Sequence, residues 1–164
     1  MTLDAWFGAL HYYSALVALL TGSWVLYKPK GTPLHRQVGL AYVLAMTVML
    51  ISSFLTYRLY GHFGLFHWLS VIASLTLVAG MYPLWSTRQI RNARLKHLQF
   101  MYWSVIGLYM GLVAEVFTRI PDTPFLTMVA VSSGVVYVVG ILGMFLRYRT
   151  WYHRHVDKQP GQQP

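Results

Sequence analysis

Five apolar runs, each long enough to cross a bilayer as a helix, alternate with short polar breaks along the chain. They cover about residues 6–27, 36–60, 64–85, 97–119 and 125–148. The breaks are rich in turn formers. Lys28-Pro29-Lys30-Gly31-Thr32-Pro33 separates the first two runs, Gly61 and Gly64 the next two, and Ile120-Pro121-Asp122-Thr123-Pro124 the last two. The connector at 88–96 is basic, and Pro83 sits near enough to the end of its run to be tolerated. This pattern predicts an all-α fold, a polytopic transmembrane helical bundle of about five helices. Residues 1–150 form a single transmembrane domain, and residues 151–164 form a polar cytoplasmic tail expected to be disordered. The first run lacks the basic start of a cleavable signal peptide and is read as a retained helix.

Composition supports the class. Of the 164 residues 56% are hydrophobic and only 10% charged, too apolar for an ordinary soluble domain. Cysteine is absent, which excludes disulfides, thiolate metal sites and thiol chemistry. The net charge of +9 would suit nucleic acid if the basic residues formed one face, but they fall in clusters between the apolar runs. Lys28, Lys30, Arg36, Arg88, Arg91, Arg94, Lys96, Arg147, Arg149, Arg154 and Lys158 lie on one side of the membrane, and only Arg58 and Arg119 on the other. The positive-inside rule then places the N-terminus outside and the C-terminus in the cytoplasm of a multi-pass protein of the cell's inner membrane. Trp6 and Trp68 near the outer boundary, with Trp24, Trp85 and Trp151 near the inner one, fit aromatic belts.

The candidate chemistry lies in the few polar residues of the runs. His97 and Glu115 are eighteen residues apart in the fourth run, so a helix brings them to one azimuth about 27 Å apart along its axis. Met101, Ser104 and Gly111 share their stripe. Glu115 is the only carboxylate within an apolar run, and a carboxylate facing hydrocarbon costs several kcal/mol unless neutralised or paired. It is expected to face protein, water or a metal.

The histidines form two layers. His11, His67 and the descending Glu115 stand at similar depth near the outer side, with His62 and Arg119 at the rim. His35 and His97 open the second and fourth runs on the cytoplasmic side. Ala15, Ala18 and Gly22 continue the face of His11, which leaves room for a flat cofactor or equally permits close helix packing. Gly107 and Gly111, like Gly140 and Gly143, are read as packing faces, and Met46 and Met49 as core. His62, His153 and His155 are read as interfacial polar groups.

The stretch Lys30-Gly31-Thr32-Pro33-Leu34-His35-Arg36-Gln37-Val38-Gly39, after a run with His11 and before Met46 and His97-x-x-x-Met101, resembles a bacterial family of small uncharacterised multi-pass membrane proteins, domain of unknown function 2306. Arg119-Ile120-Pro121 is similar to the same pattern. The resemblance implies a multi-helix membrane protein and supplies no reaction.

Three functions fit these layers. In the first, His11 with His67 and His35 with His97 are axial ligands of two b-type haems, which carry electrons across the membrane with a quinone or another redox partner; basic residues pair with the haem propionates. In the second, His11, His67 and Glu115 hold zinc with an open fourth position, suited to a membrane hydrolase or a metal or proton transporter. In the third, the chain is a structural membrane subunit whose histidines are satisfied by hydrogen bonds. No nucleophile motif, phosphate loop or nucleotide fingerprint supplies a separate enzyme signal.

Overall fold

The apolar runs become helices whose ends are set by local chemistry more than by hydropathy. The computed structural model describes residues 3–56, 61–86, 90–120 and 124–155, among which there is no strand. The helices are α1 (Leu3–Tyr27), α2 (Pro33–Phe54), α3 (Leu65–Trp85), α4 (Ala93–Phe117) and α5 (Phe125–His155). All five are long and apolar enough to cross a membrane, and the chain is a multi-pass membrane protein.

α2 begins at Pro33, three residues before the apolar run suggested. Thr32 is extended (φ −75°, ψ 159°), its hydroxyl accepts the His35 N–H at 3.0 Å, and Pro33 fills the first helical position, where no N–H is needed. Gly31 supplies the left-handed turn before it (φ 81°). Across the same turn the Lys30 ammonium donates to the carbonyls of Val25 (2.6 Å), Leu26 (2.7 Å) and Lys28 (2.9 Å), closing the C-terminus of α1. α2 stops at Phe54, short of the expected end at residue 60. There the Leu55 N–H turns back to the Ser52 carbonyl, and Ser52 donates its hydroxyl to the Met49 carbonyl at 2.8 Å.

α4 starts inside the connector, after Asn92 in a left-handed conformation (φ 56°) that asparagine tolerates. α5 continues past the expected end at 148 because neither glycine nor proline interrupts the polar turns up to His155. Residues 151–155, the start of the tail expected to be disordered, are helical, whereas the rest of that tail, the expected turn at residues 121–123, Arg58 and Arg88 lie outside the described residues.

Two compact units divide the chain, Met1–Leu75 and Thr76–Pro164. In the first, α1 packs along α2. On the small face of α1, Ala18 and Gly22 are buried, Ala18 completely, and Ala15 is half-buried, which fits the close-packing reading. α2 contributes Tyr42, Met46, Met49 and Leu50 to the buried set, as expected for the two methionines. Ser53 donates to the Ser70 hydroxyl at 2.9 Å, joining α2 to the first half of α3.

In the second unit α4 packs against α5, and the contact depends on two glycines. A Cβ on Gly140 would lie 2.8 Å from Ile106, and one on Gly143 would lie 2.7 Å from the Tyr102 hydroxyl. That hydroxyl donates to the Gly140 carbonyl at 2.7 Å, a buried interhelical bond made possible by the same approach. Gly107 and Gly111 differ from the packing face expected of them. Among the described residues no atom comes within 4 Å of a Cβ built on either, because α5 is met by Tyr102, Trp103 and Ile106, on another side of α4.

Leu20, Trp6, Trp68, Trp85, Phe145 and Leu146 are all more than half exposed, as residues facing lipid chains or the bilayer interface are.

Candidate functional site

The histidines of α1 and α4 are held in the same way. His11 places Nδ1 3.1 Å from the Met49 carbonyl oxygen of α2, and His97 places Nδ1 2.7 Å from the Gly80 carbonyl oxygen of α3. A carbonyl oxygen only accepts, so in both rings Nδ1 carries a proton, and in the neutral imidazole Nε2 then bears the lone pair. Each bond lies within one compact unit. Orientation of an imidazole by Nδ1–H donation to a backbone carbonyl is the usual setting of a metal-ligating histidine, because it selects the ligating tautomer and raises the basicity of Nε2.

Both acceptors sit where helices come close. Met49 belongs to the last turns of α2, whose carbonyl also takes the Ser52 hydroxyl. Gly80 lacks a side chain, and a Cβ there would lie 2.8 Å from Met101 Sδ and 3.3 Å from Phe100 Cβ. Met101 follows His97 by one turn, so the ring and the thioether share the side of α4 that meets α3.

His67 is held differently. It is buried (5% exposed), and its Nδ1 accepts the Gly64 N–H at 3.1 Å. This is the back half of a capping box, the third helical residue reaching to the residue before the helix. The proton is then on Nε2, and Phe63 lies against the ring with centroids 4.8 Å apart. To ligate through Nε2, His67 must give up this bond. His35 is half-buried at the third position of α2, where its backbone N–H is taken by Thr32.

Glu115 finds the partner that its charge requires on its own helix. Arg119, one turn on, donates to its carboxylate at 2.5 Å in an exposed pair. Among the described residues no group of three or more histidine and carboxylate side chains is gathered as metal ligands would be. Along the stripe expected on α4, Met101 and Ser104 are buried and Glu115 is exposed near the C-terminal end of the helix. Around the open positions of Gly107 and Gly111, Ser104, Leu108 and Ala114 are buried.

Sequence reasoning named His11 and His97 but missed their acceptors, Met49 and Gly80. A backbone carbonyl leaves no mark in the pattern of residue types. The one usable sign was Gly80 itself, a glycine in the last turns of the third run.

Comparison with protein families, with curated proteins and with solved structures gives no match to this chain. The class that fold and site define is a multi-pass helical membrane protein carrying backbone-anchored histidines.

Proposed function

We propose that the protein is a di-haem electron carrier of the b type in the cell's inner membrane. Its N-terminus is outside and its C-terminus cytoplasmic, His11 pairs with His67 on the outer side, and His35 pairs with His97 on the cytoplasmic side. The observation that carries the reading is the shared anchoring of His11 and His97, whose Nδ1 protons go to the Met49 and Gly80 carbonyls while Nε2 keeps its lone pair. The pairing itself rests on residue counts along the helices.

Haem b with two imidazole ligands supplies reversible one-electron chemistry. The chain's own residues orient the ligands and complement charge. His67 exchanges its capping bond with Gly64 for ligation, at the cost of one helix-end hydrogen bond, about 1 kcal/mol. Lys30 is engaged with three carbonyls of the α1 turn, so propionate pairing falls to the exposed Arg36, Arg91, Arg94 and Lys96. Electrons enter and leave through a quinone or a redox protein at the membrane faces.

The test is a reduced-minus-oxidised visible spectrum of the protein purified from haem-replete cells. The α and Soret bands of bis-histidine haem b are expected. A featureless difference spectrum would leave the histidines as structural hydrogen-bonding groups.

A further inference from the structure

We infer that Gly80 is the positioning residue of His97, fixing both where its imidazole points and how basic its Nε2 is. This rests on the haem reading above. Two independent properties of the same residue converge on the ring. The Gly80 carbonyl takes the Nδ1 proton at 2.7 Å, which gives the ring one tautomer and one orientation. The missing Cβ admits Met101, whose Sδ would be only 2.8 Å from an added methyl, with Phe100 Cβ at 3.3 Å.

These two properties are coupled through α4. Met101 lies one turn beyond His97 on the same side, and Phe100 meets the methyl position with its Cβ, which no rotamer change can move. A methyl at position 80 therefore displaces the backbone of α4 from that of α3, and the His97 bond lengthens with it. A carbonyl acceptor on Nδ1–H makes the imidazole a stronger donor and favours ferric over ferrous iron, so losing it raises the reduction potential. Close packing alone would explain the glycine but not why the acceptor of the histidine is the same residue.

The test uses the full chain in detergent, labelled with 15N-histidine, in four forms: wild type, Gly80→Ala, Met101→Ala and the double variant. Imidazole nitrogen shifts of the haem-free chain report the His97 tautomer, since a ligating Nε2 carries no proton, and redox titration of the haem-loaded chain reports the potential. Gly80→Ala is expected to move His97 from the Nδ1–H toward the Nε2–H tautomer and to shift the cytoplasmic haem's potential upward. The double variant, which loses the Met101 contact but keeps the 3.3 Å approach of Phe100 Cβ, moves both part of the way back toward wild type, and Met101→Ala alone leaves the tautomer unchanged. A wild-type tautomer and potential in Gly80→Ala, or an altered tautomer in Met101→Ala, would overturn the inference. A shifted tautomer in Gly80→Ala with no haem in any preparation would refute the haem reading and uphold the hold of Gly80 on His97.

Discussion

His97 donates from Nδ1 to the Gly80 carbonyl oxygen at 2.7 Å, tying the first turns of α4 to the last turns of α3. The bond is both a helix-to-helix link and a means of presenting Nε2. Substitutions that keep one role and remove the other separate the two.

His97→Gln retains an N–H donor near Gly80 but no imidazole nitrogen to ligate iron. It is expected to insert and fold, with a stability loss within about 1 kcal/mol, while retaining only the outer haem. Thermal melting and pyridine haemochrome assay on the same preparation check both parts.

Tyr102 and Gly140 make the corresponding link between α4 and α5, without any ligand role. Tyr102→Phe should cost about 0.5–1 kcal/mol, the size of interhelical hydrogen bonds in membranes. Gly140→Leu should cost about 1–3 kcal/mol, because Ile106 and Trp103 already occupy the space a side chain needs. Unfolding in mixed micelles would measure both, and an unaffected Gly140→Leu variant would show that α5 does not approach α4 as described.

Lys30 offers a test at the α1–α2 turn. Its three carbonyl bonds satisfy acceptors that a helix end leaves open. Lys30→Met is expected to destabilise by about 1–2 kcal/mol, as charge-assisted hydrogen bonds do, while leaving haem content unchanged. Loss of haem at retained stability would give Lys30 the propionate role assigned to Arg36 and its neighbours.

Much of the fold could be read from the sequence because five apolar runs bounded by turn residues admit few arrangements in a bilayer. The helix ends were less legible. Thr32, Asn92 and Ser52 decide them through backbone hydrogen bonds or dihedral angles that hydropathy does not see. Rotation about each helix axis was the hardest part, since runs apolar on every side carry little directional signal. That is why Gly140 and Gly143 proved to pack as expected while Gly107 and Gly111, with the same four-or-fewer spacing on a membrane helix, stand open. The same lack of direction hides that Glu115 pairs with Arg119 one turn further along its own helix.

Glu115→Gln follows from that pairing. An exposed i,i+4 ion pair contributes about 0.3–0.5 kcal/mol at most, so the variant should remain stable and keep its full haem complement. A strong fall in bound cofactor would place Glu115 in the site.

The haem-to-chain ratio of the purified wild-type protein, set beside that of His11→Ala, tests the central claim most directly. Two haems per chain are expected in the wild type and one in His11→Ala, with the remaining haem spectrally bis-histidine. A ratio of zero in the wild type, or an unchanged ratio after removal of His11, would contradict it.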